Sequence, residues 1–107
     1  MIQATQRQRD RVKAGAALFD QRAPGWRELV RLRQDMNVDC PQHCPGAIVF
    51  GSYERAKVTL GIGISNEAEA IAVGIYGNSW EYPVLTDLWR EAANAPRPVE
   101  EDELQPA

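Results

Sequence analysis

Residues 62–76 read IGISNEAEAIAVGIY, and whether they form a helix or part of a hairpin decides the fold class of the chain. As a helix, Asn66 caps the N-terminus, Glu69 completes a capping box three residues on, Ala68, Ile71, Ala72 and Ile75 form an apolar stripe, and Gly74 ends it. As strands, residues 58–64 and 71–76 alternate well enough to pair around Ser65-Asn66-Glu67. The hairpin places Gly61, Gly63 and Gly74 inside strands, where a residue with no side chain to pack weakens the ladder. The helix carries no such penalty. The preferred reading is therefore a mainly α domain, a small compact bundle of four to five helices. An α+β fold with a short hairpin near residues 58–76 is the alternative.

The flanking sequence supports helices on both sides. After a turn at Gly77-Asn78-Ser79, Leu85, Leu88, Trp89 and Ala92 recur at i, i+3, i+4 and i+7, with Pro83 near the start, where proline is tolerated. Upstream, Val49, Tyr53, Ala56 and Leu60 fall within one narrow arc with Phe50 at its edge, predicting a single helix over residues 45–60 closed by Gly61 in a left-handed cap. Residues 34–46, QDMNVDCPQHCPG, carry the turn residues of a loop. Before the loop, Pro24 suits the first position of a helix with a stripe of Trp26, Leu29 and Val30 and Leu32 beside it. Val12, Ala16 and Phe19 mark an amphipathic helix over residues 5–19. Trp26, Tyr53 and Trp89, each at helical spacing among aliphatic neighbours, are expected in the core. Residues 1–94 thus read as one helical domain, and 95–107, with three prolines and the acidic run Glu100 to Glu103, as a disordered acidic tail.

A chain of 107 residues, 44% apolar and 25% charged, has the make-up of one ordinary globular domain that folds without disulfide staples. The polar, arginine-rich N-terminus lacks the apolar run of a signal peptide, and no stretch approaches the roughly 20 apolar residues that span a bilayer. The expectation is a cytoplasmic protein with no membrane partner. The net charge of −3 hides an asymmetry, since residues 1–33 carry +5 and residues 34–107 carry −8. Either the two portions attract each other within the fold, or the basic one is offered to an anionic partner.

The most concentrated chemistry lies at Cys40, His43 and Cys44, whose thiolates and imidazole suit zinc. The C-x3-C spacing differs from a paired C-x2-C knuckle, and no distant Cys or His completes a tetrahedron, so only Asp39 or a partner chain could supply a fourth ligand. Reduced thiols without a role, or a disulfide between the two, are the competing readings. His43 is the single histidine, and immediate neighbours in a loop rarely bring an imzidazole onto a cysteine as a catalytic base does. Gly46 to Ser52 echoes a phosphate-binding loop without its lysine, and Gly61-x-Gly63 lacks the third glycine of a dinucleotide loop, so neither supports a nucleotide. Glu67, Glu69, Glu81, Asp87 and Glu91 read as a solvated surface. Tyr76 and Trp80, on either side of Gly77-Asn78-Ser79, are candidates for a protein contact, and Arg7, Arg9, Arg11 and Lys13 for a nucleic-acid contact.

The stretch Gly15-Ala16-Ala17-Leu18-Phe19-Asp20, then Ala23-Pro24-Gly25-Trp26, then Cys44 followed by Phe50-Gly51-Ser52-Tyr53, then Leu85-x-x-Leu88-Trp89-Arg90 resembles a group of short uncharacterised proteins of actinobacteriophages and their actinobacterial hosts. The resemblance covers roughly residues 12–91 and implies a small phage or prophage accessory product, with no catalytic residues to carry over. With no assembled catalytic set or cofactor motif, the leading expectation is a non-enzymatic interaction protein that modulates a host protein. Nucleic-acid binding through the basic N-terminal helix is the alternative.

Overall fold

The computed structural model describes residues 4–62 and 67–95, and the described residues form six helices and no strand. The first, α1 (Gln6–Arg22), starts at a reciprocal cap in which the Thr5 hydroxyl accepts the Gln8 N–H at 3.1 Å and the Gln8 side chain accepts the Thr5 N–H at 2.9 Å. It ends at Ala23, before Pro24. Pro24 does not open the next helix: it lies in the turn, and α2 (Trp26–Arg31) begins after Gly25. Six residues make fewer than two turns, so α2 buries only Trp26 and Val30, while Leu29 of the expected stripe and Leu32 beside it are exposed.

The loop that follows is bound to the fold by side chains of the last helix, α6 (Tyr82–Asn94). Arg90 donates to the carbonyls of Gln34 and Met36 at 2.9 and 3.0 Å, and Thr86 accepts the Val38 N–H at 3.0 Å. Met36 and Val38 are thereby buried in the core from within a loop.

The single helix expected over residues 45–60 is in fact two, α3 (Pro45–Phe50) and α4 (Tyr53–Thr59). Gly51 closes α3 in the left-handed region at φ 99°, and the extended Ser52 caps α4 by accepting the Arg55 N–H at 3.0 Å. The two pieces fold back on each other. Gly46 allows it, because a Cβ there would lie 2.8 Å from the Ala56 Cβ. This split is why six helices appear where four to five were expected.

Residues 67–72 are helical, as α5 (Glu67–Ala72), so the hairpin is excluded for the described part of this stretch. The Asn66 cap lies outside the described residues. Gly74 ends the segment as anticipated: its N–H reaches the Ile71 carbonyl at 3.0 Å and the Ile75 N–H reaches Ala70 at 3.1 Å, the paired bonds of a Schellman motif. The Gly61 cap after α4 repeats the pattern with Val58 and Lys57. The stripe, however, is turned from its predicted phase. Ala70 and Ile75 are buried, Ile71 is half-buried, and Ala68 and Ala72 are exposed. The cause lies in α1, which crosses so closely that a Cβ on Gly15 would sit 2.1 Å from the Val73 carbonyl oxygen.

At the centre, Phe19 of α1 meets Trp26 edge-on at 5.4 Å, Phe50 at 5.3 Å and Trp89 of α6 at 4.9 Å. Both indoles are fully buried, and both N–H groups are satisfied, Trp26 by Asp20 and Trp89 by the Gly74 carbonyl. Tyr53, expected beside them, is only half-buried, with the Lys57 Nζ 5.3 Å from its ring centre. Among the described residues, no helix is long and apolar enough to cross a membrane.

Candidate functional site

A nearly buried polar arrangement joins α1 to the turn ahead of α6. Arg11, one helical turn before Gly15, is 8% exposed. Its Nε donates to the Ile71 carbonyl at 2.8 Å, one Nη to the Tyr76 carbonyl at 2.8 Å and the other to the Glu81 carboxylate at 2.9 Å. Glu81 also accepts the Gln8 amide at 3.1 Å and the Asn78 N–H at 3.1 Å. The Asn78 N–H, followed by Gln8 and Arg11, holds the Glu81 carboxyl below its ordinary value against the opposing effect of its burial. Gly77 leaves room for this cluster, since a Cβ there would lie 2.8 Å from the Glu81 carboxylate and 3.1 Å from Arg11, and the two side chains would have to shift.

Two residues sit otherwise than the sequence suggests. The guanidinium of Arg11, a candidate phosphate ligand, is engaged by two carbonyls and a carboxylate. Glu81 does not belong to the solvated surface, because it is the other half of a nearly buried ion pair. The rest of the basic set divides. Arg7 and Lys13 are exposed, and Arg9 stands 3.8 Å from Glu91 on α6. Two open depressions of about 490 and 400 Å³ meet at Arg7, Arg11 and Ile71, one bordered by α5, the other by the turn from Tyr76 to Glu81.

That turn carries the candidate protein contact. The Arg11 bond to the Tyr76 carbonyl, the Asn78–Glu81 side-chain bond and a Glu81 N–H to Asn78 carbonyl bond at 2.8 Å fix its backbone. On this mount Tyr76 is half-buried against the core, and Trp80 is 67% exposed. Of the three tryptophans it alone projects from the surface.

In the cysteine loop the three candidate ligands have separate surroundings. Cys44 is buried, its sulfur accepting the Ala47 N–H at 3.3 Å as the cap of α3, and burial pushes its thiol above the ordinary value. His43 points instead toward Asp35, with Nε2 to Oδ2 at 3.5 Å on an exposed surface. Both cysteines are free thiols, Cys40 partly exposed. Among the described residues, no group of three His, Cys, Asp or Glu is placed to hold a metal ion. The sequence signal for this arrangement was present but slight: a small polarisable residue just before Pro45 occupies the position where a cap is needed.

Comparison of the chain with protein-family models, with curated proteins and with solved structures finds no match in any of the three.

Proposed function

We propose that the chain is a small non-catalytic interaction protein, of the phage or prophage accessory kind, that acts in a host cytoplasm by engaging a host protein through the turn bearing Tyr76 and Trp80. The observation that carries this reading is a tryptophan 67% exposed on a turn whose backbone is fixed from behind by Arg11, Glu81 and Asn78. An exposed indole keeps apolar area in water that a partner's pocket can take up, and tryptophan is enriched among such anchors. A fixed mount also lowers the ordering cost of binding. The test is capture from actinobacterial lysate by tagged wild type, Trp80→Ala and Val58→Ala, the last exposed to a similar degree on α4. A stoichiometric partner held by wild type and Val58→Ala but lost by Trp80→Ala supports the reading. Capture indifferent to Trp80, or no partner over a range of salt, removes it.

A further inference from the structure

Between α1 and α6 runs an open groove of about 310 Å³, with an apolar floor of Val12, Ala16, Leu88 and Ala92. Its rim carries Arg9, Lys13 and Arg27 against Glu91. Arg27 is fixed in the wall by a bond from Nε to the Ala92 carbonyl at 3.0 Å and by its ion pair with Asp20. Even with both carboxylates counted, the groove holds a surplus of positive charge. Ala95 lines one end of it. There the chain leaves α6 in an extended conformation, φ −89° and ψ 150°, the region to which a residue preceding proline is steered.

What comes next in the chain matches this groove in charge and in pattern. At about 3.1 Å per residue for a proline-rich sequence, the four steps across Pro96-Arg97-Pro98 give Val99 a reach of about 12 Å from Ala95. The α1 segment from Arg9 to Ala16 spans a comparable length, about 10 Å at 1.5 Å per residue. Residues 99–104, VEEDEL, then present four consecutive carboxylates between two aliphatic side chains. We infer that this acidic segment of the chain itself occupies the α1/α6 groove, its carboxylates facing Arg9 and Lys13 and an aliphatic end resting on Val12 and Leu88. The inference stands apart from the proposed role of Trp80.

The test uses the full chain labelled with 15N, as wild type and as the variant Glu100→Gln/Glu101→Gln/Asp102→Asn/Glu103→Gln. Neutralising the segment should shift the amides of residues 9–16 and 88–95. Raising salt from 0.1 to 1 M, which shortens the Debye length from about 10 to 3 Å, should move the same amides in the same direction in wild type and leave the variant unchanged. Tenfold dilution should alter neither spectrum. Shifts confined to residues 96–107 would overturn the inference. So would shifts that fade on dilution, because the contact would then lie between copies.

Discussion

Gly15 is the residue at which α1, the end of α5 and Trp89 come closest together. A methyl there would stand 2.1 Å from the Val73 carbonyl oxygen and 2.8 Å from the indole. Overpacking of this kind costs about 1–3 kcal/mol, and a backbone oxygen cannot rotate away as a side chain can. The better helix propensity of alanine returns about 1 kcal/mol. With the cost at the upper end of that range, Gly15→Ala should lose up to about 2 kcal/mol net in urea unfolding, and an unchanged midpoint would show that the helices do not approach so closely. Glu81 makes a prediction in pH. Its folded pKa is depressed, so the fold favours the carboxylate. The stabilisation is present above the ordinary glutamate value of about 4.3 and is lost as pH falls through the lower folded value. Glu81→Gln should cost about 1–2 kcal/mol at pH 7, from the loss of charge-assisted bonds. The gap to wild type should narrow as pH falls through the depressed folded value, and a constant gap would count against the ion pair as its cause. Neither Arg11 nor Glu81 could be singled out from the sequence. The partners of Arg11 lie 60, 65 and 70 residues away, and nothing local separates it from Arg7 or Arg9.

Helix ends were more legible than helix faces. The caps at Gly61 and Gly74 followed from glycine's access to the left-handed region, a property of one residue and its neighbours. The missed break at Gly51-Ser52 carried the same local signal, a glycine to close one helix and a serine to cap the next. It was overridden by an apolar period running from Val49 to Leu60, because two short helices folded on each other can bury the same residues as one long helix. Faces failed where helices are short. In α2 and α5, six residues each, the buried side is chosen by what crosses them, and crossing is not written in local spacing. The Ser52 cap can be tested directly. Ser52→Ala should cost about 1 kcal/mol, whereas Ser52→Asn, which also caps, should cost little. Equal losses in the two variants would mean that the bond to the Arg55 N–H contributes nothing measurable.

At the scale of the whole molecule, the charge asymmetry of the chain is turned inward at two places. The basic N-terminal portion meets acidic residues from the other end of the sequence at Arg11–Glu81 and Arg9–Glu91, so the two portions attract each other within the fold. This bears on the nucleic-acid alternative quantitatively. Of the four cations expected to meet phosphates, Arg11 is engaged and Arg9 has a carboxylate nearby, which leaves Arg7 and Lys13. Each phosphate neutralised on duplex DNA contributes about −0.9 to the slope of log K against log salt. Two contacts through Arg7 and Lys13 predict a slope of about −2, an affinity loss of roughly tenfold between 50 and 200 mM salt. Four contacts would give nearly −4 and a loss of more than a hundredfold. A titration of the full chain with mixed-sequence duplex separates the two cases. A slope near −4 that becomes shallower in Arg11→Gln would require the guanidinium to leave Glu81 for a phosphate, and the arrangement joining α1 to the Trp80 turn would have to open for it.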